Sequence, residues 1–315
     1  MTRALLLILT IALMFSCKKK EDENPTPTPA VTVPNPPPSL MVEQGANDES
    51  ARSEYDKSIG DVMSAIESYG FGSRAGVILP CGIVSVDTTA GKYKVNYGAN
   101  CGRKKLSGTV TATIIPDSAK WKDAGTILRL DYSDYTVLFE VNNQTLVFNG
   151  SVFITNTNGG LIVHALTLKK TIVHTIRGEL NIKFDNASTR KWKIYKKRTY
   201  SSSSGTAADL TGMISADSGS IAEVGLNKLG QEFITTIPKT FVYKNCNTSG
   251  SWVGPYVLTE GELIYTTGKI SLKAEAGYIY SSSDNKLTAV NNCESLGYKL
   301  TWNINGTTQE QYQSY

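Results

Sequence analysis

Apolar and polar residues alternate with a period of two along most of the chain after Val77. Successive side chains of a β-strand point to opposite faces, so such a segment has one face in a core and one in water. The clearest alternations occupy residues 93–97, 110–114, 180–184, 270–274 and 300–304. We therefore predict an all-β protein of antiparallel, hairpin-rich sheets, either a β-sandwich or a large curved meander.

Turn-forming residues separate these alternating segments, and the Asn-Gly pair among them is the strongest two-residue hairpin signal. They are Asn142-Asn143, Asn158-Gly159-Gly160, Asp185-Asn186, Asp284-Asn285 and Asn305-Gly306. A serine-rich break at residues 201–205 is either a linker between two domains or a long loop in one sheet system, which gives a possible sub-boundary near residues 201–206 of the β domain that we place at residues 75–315. We favour one continuous β domain, because neither half has a helix of its own.

A helical period occurs once, in residues 47–72. Ile59, Val62, Met63, Ile66 and Tyr69 recur at intervals of three and four, which is typical of an amphipathic helix. The glycines of the Gly70-Phe71-Gly72 run would end it. We predict one short helix here, on the N-terminal side of the β domain.

The N-terminus has the pattern of an export signal. After Arg3, residues 4–15 are uncharged and apolar, a run that is too short to span a bilayer but long enough for a signal-peptide core. Ser16-Cys17 follows, and a charged run begins at Lys18. This pattern resembles a bacterial lipoprotein signal, in which the cysteine is diacylated. We predict a signal peptide over residues 1–16 and lipidation of Cys17; an ordinary signal peptide with an incidental cysteine is the alternative.

Residues 17–46 have the composition of a tether. Seven of the 11 prolines lie between Pro25 and Pro38. Proline-rich segments extend by roughly 3.1 Å per residue, so residues 24–40 would reach about 50 Å. The basic-then-acidic run after Cys17 resembles the surface-export signal of Bacteroidota lipoproteins. We therefore expect a protein anchored to the outer membrane and exposed at the cell surface, with a periplasm-facing protein or a plain charged spacer as alternatives.

Four cysteines remain after Cys17, namely Cys81, Cys101, Cys246 and Cys293. An even number in an exported chain indicates two disulfides, with three connectivities. We favour pairing the first two and the last two, because each pair brackets a hairpin-rich segment. A metal site is the competing interpretation, but the chain has no C-x-x-C and no histidine near these cysteines, so we predict no metal.

Several stretches around these cysteines resemble a group of uncharacterised Bacteroidota lipoproteins. They are Pro80-Cys81-Gly82-Ile83-Val84-Ser85-Val86-Asp87, Val95-Asn96-Tyr97-Gly98-Ala99-Asn100-Cys101-Gly102-Arg103, Gly108-Thr109-Val110, and the segments at Cys246, Gly261, Asn292-Cys293 and Asn305-Gly306. The resemblance covers roughly residues 75–315. It implies an envelope location and a long β meander with two cysteine pairs, and it implies no activity.

The residue types of catalysis do not form a known pattern. His164 and His174 lie on the apolar positions of their segments without a nearby carboxylate, which indicates inward, hydrogen-bonded histidines. Asp131 and Asp134 would point to opposite faces of a regular strand, so they would not converge on a glycan or on calcium. The chain has no nucleophile elbow, P-loop or dinucleotide fingerprint. We predict no catalytic residues and no cofactor.

The most unusual segment is the basic and aromatic stretch of residues 190–200. One face carries Lys191, Lys193, Tyr195 and Lys197; the other carries Arg190, Trp192, Ile194, Lys196 and Arg198. The first face is a candidate site for an acidic polysaccharide, for lipopolysaccharide phosphates or for another envelope protein. Protection of an edge strand against aggregation, or plain solubility, is the interpretation we prefer.

These observations together predict a lipid-anchored cell-envelope β protein with a binding or structural role and no catalysis. Its partners would be the membrane, through the anchor, and a polysaccharide or another envelope protein. Nucleic acid is not expected, because the net charge is only +4. The alternatives are a glycan- or polymer-binding accessory lipoprotein of nutrient uptake, which a row of exposed aromatic residues would favour, and a pilin- or adhesin-like subunit.

Overall fold

The computed structural model describes most of the chain from Pro38 onward. The described residues are 38–70, 80–89, 91–185, 188–202, 213–227, 229–246, 256–268, 270–281, 286–290, 292–295, 297–304 and 306–314. The predicted signal peptide, Cys17 and the tether as far as Pro37 lie outside the described residues. The predicted turn Asp284-Asn285 and residues 203–205 of the serine-rich break also lie outside them.

The described residues form two helices and fifteen strands. They are α1 Pro38–Gly70, β1 Ile83–Thr89, β2 Lys92–Tyr97, β3 Asn100–Cys101, β4 Lys104–Ile115, β5 Ile127–Phe139, β6 Gln144–Asn156, α2 His164–Thr167, β7 Ile172–Phe184, β8 Ser188–Ser202, β9 Met213–Leu226, β10 Glu232–Asn245, β11 Tyr256–Thr267, β12 Ile270–Ser281, β13 Lys286–Ala289, β14 Gly297–Ile304 and β15 Thr307–Ser314.

All fifteen strands belong to one sheet, in which every strand pairs antiparallel with its neighbours. Their order in space follows their order along the chain, except that β3 and β13 are short branches on β4 and β12. The predicted all-β fold is therefore confirmed, and of the two predicted architectures the structure has the meander. Because β8 pairs with β9, the sheet continues across the sub-boundary predicted near residue 201.

Helix α1 is longer than the predicted short helix, with 33 residues from Pro38 to Gly70. The prediction that the tether extends to residue 46 is therefore wrong. Proline fits the first turn of a helix, where its missing N–H would have no partner. The proline-rich segment therefore runs up to the first residue of α1, Pro38. The helix begins nine residues earlier than the predicted start at residue 47.

The sheet curves around α1. On α1, Glu54 forms an ion pair with Lys104 of β4, and Tyr55 donates a hydrogen bond to Glu223 of β9, with 2.8 Å between the oxygens. Four strands separate β4 from β9, so a flat sheet would hold them about 24 Å apart. Both strands can meet one turn of α1 only because the sheet bends, with α1 on its concave side.

The core lies between α1 and this concave side. The apolar residues of α1 are buried there together with the inward side chains of the strands. On α1 they are Ala51, Tyr55, Ile59, Val62, Met63 and Ile66. Burial of this apolar face, more than intrinsic helix propensity, is the main source of stability for a helix packed in a protein.

Glycine allows the sheet to bend at one central position. Gly150 of β6 has a φ of 126°, and a Cβ built there would lie 2.4 Å from the carbonyl oxygen of Glu179 on β7. Neither the backbone angle nor the space suits a larger residue. This position lies beside the irregularity in β5 between Tyr132 and Tyr135, where the pairing with β6 shifts register.

The two disulfides have the pairing that we favoured. Cys81–Cys101 links the turn before β1 to β3, and Cys246–Cys293 links the end of β10 to the segment after β13, with Cα–Cα distances of 5.4 and 5.6 Å. Closing loops of 20 and 47 residues stabilises a fold by roughly 3 to 4 kcal/mol each in the chain-entropy model.

Truncating one buried residue of α1 tests whether the helix occupies the concave side. We expect Ile59→Ala to lower the free energy of unfolding by about 2–5 kcal/mol, because Ile59 is buried and its truncation leaves a cavity. Ser53, exposed on the same helix, is the control, and Ser53→Ala should change it by less than about 0.5 kcal/mol. Equal, small effects in guanidinium titrations would contradict the packing of α1.

Candidate functional site

Strand β8 has two chemically different faces. Lys191, Lys193, Tyr195 and Lys197 are exposed on the convex side of the sheet. The alternate residues are buried on the concave side: Arg190, Trp192, Ile194, Lys196 and Arg198. The alternation in sequence therefore separates two sets of cations, one in water and one in the core.

The edge-strand interpretation of these lysines is wrong. Strand β8 pairs with β7 from Ser188 to Tyr200 and with β9 on its other side. It is a central strand, and its pairing with β9 covers residues 192–194 and 197–202, with a register shift between them. The position of a strand within a sheet depends on its neighbours, which its own sequence does not reveal. Lys191, Lys193 and Lys197 thus have no edge to protect.

Four exposed side chains form a row across the convex side. Arg129 of β5 pairs in register with Phe153 of β6, Phe153 with Arg177 of β7, and Arg177 with Tyr195 of β8. Phe153 and Tyr195 are 40% and 42% exposed. With neighbouring strands about 4.8 Å apart, the row spans about 14 Å at the backbone. Cations and aromatic rings alternate along it, and we call these four residues the outer row.

The first two members of the outer row already contact each other. The guanidinium carbon of Arg129 lies 5.9 Å from the centre of the Phe153 ring. Arg129 also forms an ion pair with Asp131, with 2.8 Å between Nε and Oδ1. Arg177 has no such carboxylate partner among the described residues. The second half of the row therefore presents the more available cation.

The convex side of β5 to β8 is predominantly cationic. Its cations are Arg129, Arg177, Lys183, Lys191, Lys193 and Lys197, and its carboxylates are Asp131, Asp134 and Glu179. Within the described part of the chain, the lysines of β8 on this side form no ion pair. A surface with unpaired cations beside exposed aromatic rings can bind an anionic ligand through charge and stacking.

Asp131 and Asp134 do not point to opposite faces, contrary to the regular-strand expectation. The irregularity in β5 buries both Tyr132 and Tyr135, which are three residues apart. Ser151 donates a hydrogen bond to Asp131 (2.6 Å), whereas the Asn149 amide donates to Asp134 (3.0 Å). The two carboxylates are thus on the same side of the sheet, and each accepts a hydrogen bond from a different residue of β6.

The concave side holds a buried ion cluster centred on Glu223 of β9. The Arg52 guanidinium donates to both oxygens of this carboxylate at 2.6–2.9 Å. The Tyr55 and Thr235 hydroxyls donate at 2.8 and 2.9 Å, and the Lys196 ammonium lies 3.6 Å away. Burial opposes ionisation of Glu223, but the two cations and the donated hydrogen bonds outweigh it and lower its pKa to about 2.

A second group of ion pairs continues this cluster along β8. Lys196 contacts Asp56 of α1 at 2.8 Å, and Arg198 contacts the same carboxylate at 3.1 Å. Arg198 also binds Asp217 of β9 through two hydrogen bonds of 2.6 Å. Each inward cation here meets a carboxylate from another element. Because the cluster is buried, it holds α1 against the sheet rather than meeting a substrate.

Arg190 extends the same arrangement towards the start of α1. Its Nη1 donates to Asp48 at 2.6 Å, and its guanidinium lies 3.3 Å from the centre of the Phe184 ring. Burial raises the pKa of Asp48 to about 7, despite the nearby Arg190 and Arg52. Sequence reasoning missed all of these contacts, because they join residues up to 171 positions apart. One signal could have indicated these contacts: Arg190, Lys196 and Arg198 share a face of β8 with the apolar Trp192 and Ile194.

His174 is an inward residue of β7, as the sequence predicted, but its buried Nε2 has no hydrogen-bond partner among the described residues. Its ring lies between those of Trp121 and Tyr200, with 5.2 Å between centres in each case. Burial, with a smaller effect from Arg198, lowers the pKa of His174 to about 3. His174 is therefore neutral at physiological pH and packs as part of the core.

The loop before α2 contains the other histidine and meets the end of α1. His164 lies in α2 rather than in a strand, is only half-buried, and accepts a hydrogen bond at Nδ1 from the Leu161 N–H (3.1 Å). The Glu67 carboxylate of α1 accepts the Ile162 N–H at 2.9 and 3.0 Å. Burial raises the pKa of Glu67 to about 7, although backbone N–H groups of this loop partly offset that effect.

The described ranges contain no cluster of metal-ligating side chains and no helix able to span a membrane. No three His, Cys, Asp or Glu side chains among them are grouped so as to hold a metal ion. No helix among them is both long enough and apolar enough to cross a bilayer. In comparisons with known proteins, no protein-family model, curated protein or solved structure matches this chain.

The buried cluster should respond to the loss of its central charge. We expect Glu223→Gln to lower the free energy of unfolding by about 3–5 kcal/mol, because the buried Arg52 guanidinium would lose the carboxylate that accepts from it at both oxygens and keep only the half-buried Glu49 as a counter-charge. Glu260, paired with Lys239 at 3.6 Å near the surface, is the control. Its change to Gln should cost less than about 1 kcal/mol. Similar unfolding midpoints for the two variants would show that Glu223 does not anchor α1.

The raised pKa of Glu67 predicts a specific pH dependence of stability. Between its usual value of 4.5 and about 7 the folded state binds the proton that the unfolded state has released. Stability from this group is complete below pH 4.5 and is lost as the pH rises through 7, at up to about 1.4 kcal/mol per pH unit.

Glu67→Gln should remove that loss, because the amide oxygen still accepts the Ile162 N–H without carrying a charge. Denaturant titrations from pH 4.5 to 8 should therefore show a gain in stability relative to wild type that grows with pH. The exposed Ser53, which does not titrate, should leave the pH profile unaltered when it is changed to Ala. A profile for Glu67→Gln parallel to that of wild type would refute the assignment.

Proposed function

We propose that this chain is a lipid-anchored protein of the bacterial cell envelope that acts by binding an anionic partner through the convex side of β5 to β8, without catalysis. The observation that carries this proposal is the outer row. Arg129, Phe153, Arg177 and Tyr195 come from four strands, lie in register and are exposed.

Location in the envelope is supported by the sequence of the N-terminus. A short apolar run ends at Ser16-Cys17, a charged and proline-rich segment follows, and the first described element, α1, begins at Pro38. Two acyl chains give stable anchoring where one alone is marginal. The likeness of residues 75–315 to Bacteroidota lipoproteins agrees with this location. The proposal places the domain on the outer membrane and at the cell surface.

A binding role is supported by the chemistry of the convex side. Tyr195 is 42% exposed between Lys193 and Lys197 on the convex side, whereas the alternate residues of β8 are buried. Lys193 lies in register with Glu179, but Lys191 and Lys197 pair with the uncharged Asn181 and Thr175, and a central strand needs no protection from aggregation. An anionic partner would supply the counter-charge that these two lysines lack.

The exposed rings of Phe153 and Tyr195 favour one function in particular among the alternatives. An accessory lipoprotein that binds a glycan or another polymer uses aromatic rings as platforms for sugar rings. Two such platforms, separated by one strand, lie on the convex side. A glycan- or polymer-binding accessory of nutrient uptake is therefore the second form of the proposal.

The anchoring and the binding can be tested with the full chain. Produced in a Bacteroidota host, the wild type should fractionate with membranes and be cleaved by protease added to intact cells. Cys17→Ser should move the protein to the soluble fraction. A free thiol at Cys17 in the native product, found by mass spectrometry, would contradict the lipid anchor; protection from protease would contradict surface exposure.

For the binding role, immobilised dextran sulfate is a general polyanion probe. We expect the detergent-solubilised wild type to elute at clearly higher salt than the variant Arg177→Ala/Lys193→Ala/Lys197→Ala, because each removed cation lowers the number of counterions released on binding. A control with the same loss of charge elsewhere, Arg103→Ala/Lys120→Ala/Lys286→Ala, should elute with the wild type. Equal shifts for both variants would attribute the retention to net charge alone.

A further inference from the structure

The alternation within the outer row carries information about the ligand. The geometry points to a linear acidic polysaccharide whose repeat is a disaccharide with one acidic sugar and one uncharged sugar, lying across β5 to β8. This inference rests on the binding role proposed above and names the class of ligand for the same site.

The outer row has a defined direction across the sheet. Its members come from consecutive strands at paired positions, so the row runs perpendicular to the strands. On the other side of Arg129 it continues through Thr113 of β4 to Lys92 of β2. A ligand that contacts every member must therefore be an extended chain across the sheet rather than a compact molecule.

The spacing between members of the outer row is similar to that of sugar units in an extended polysaccharide. Neighbouring members of the row lie about 4.8 Å apart at the backbone and somewhat further apart at their tips, because this side of the sheet is convex. The advance of one hexose unit along an extended β-linked chain is similar. One sugar unit can therefore lie over each member of the row, and two disaccharides over the four residues.

Two kinds of chemical group alternate along the outer row. Cations stand at Arg129 and Arg177, and aromatic rings stand at Phe153 and Tyr195 between and beside them. A guanidinium binds a carboxylate or sulfate through directed hydrogen bonds. An aromatic face, with its negative quadrupole, suits the C–H groups of an uncharged sugar ring. The period of two strands thus matches a period of two sugars.

The alternation of cations and aromatic rings disfavours other classes of ligand. A chain with a carboxylate on every sugar would place anions over the faces of Phe153 and Tyr195, whose quadrupoles repel them. A neutral glycan would leave Arg177 without a partner. An anionic lipid surface is a flat array of head groups. It would not contact a single line of residues on a convex face in preference to the cations around that line.

The test is a calorimetric titration of the full chain in detergent micelles with four probes. They are a hyaluronan hexasaccharide, in which acidic and uncharged sugars alternate; a hexagalacturonate, in which every sugar is acidic; cellohexaose, which is neutral; and inorganic polyphosphate. We expect the hyaluronan probe to bind at least tenfold more tightly than cellohexaose. It should also bind more tightly than the hexagalacturonate, despite carrying half the charge.

Variants identify the groups responsible. Arg177→Ala should weaken hyaluronan binding at least tenfold, and Phe153→Ala and Tyr195→Ala at least fivefold each. The controls are Arg103→Ala, an exposed cation of the β3–β4 turn, and Leu168→Ala, an exposed apolar residue after α2; both should bind as wild type does. Thermal unfolding of each variant separates loss of binding from loss of fold.

The possible results distinguish this inference from the proposed function. Affinity that follows charge density, with polyphosphate and hexagalacturonate strongest, would overturn the disaccharide inference and leave the anion-binding role standing. Binding only to vesicles of anionic phospholipid, tested in parallel, would also overturn the inference in favour of a lipid surface. Failure of every polyanion to bind would refute both.

Discussion

The ion cluster between α1 and the sheet is the constraint on which the rest of the structure depends. Glu223 binds Arg52 and Tyr55 of α1, and its charge is buried with those of Arg52 and Lys196. Buried charges are tolerated only when each has a partner in good geometry. Sliding α1 by one turn would break these pairs and leave charges unmatched, so the cluster fixes one position of the helix. The curvature of the sheet follows from that position, because strands as far apart as β4 and β9 both reach α1.

Strand β8 shows how a single segment serves both the fold and the proposed function. Its inward residues Lys196 and Arg198 complete the ion cluster, whereas its outward residue Tyr195 belongs to the outer row. The two sets point in opposite directions, so a change on the convex side leaves the contacts of α1 intact. This separation makes the binding proposal testable without loss of fold. It also means that the buried carboxylates with shifted pKa values, Asp48, Glu67 and Glu223, belong to the scaffold.

The sequence was sufficient for features that depend on local pattern. Alternation predicted the strands, and the even number of cysteines predicted two disulfides, which the structure pairs as favoured. Features that depend on register or on sheet position were beyond it. The outer row exists only because Phe153 of β6 pairs in register with Arg177 of β7. A shift of this register by one residue would move the side chains of one strand to the other face of the sheet and break the row. The irregularity in β5 likewise overrode the parity expected for Asp131 and Asp134, and the start of α1 was obscured because Pro38 is compatible with both a tether and a first helical turn.

The chemical reactivity of the lysines of β8 tests the central claim most directly, since it reports which face of the strand each side chain occupies. The folded full chain is treated briefly with an acetylating reagent, and modification at each lysine is quantified by mass spectrometry. The account predicts that Lys191, Lys193 and Lys197 are acetylated at rates typical of exposed lysines, and that Lys196, between them in sequence, remains unmodified until the protein unfolds. Acetylation of Lys196 as fast as that of its neighbours would contradict the seating of α1 on the sheet and, with it, the division of β8 into a structural and a binding face.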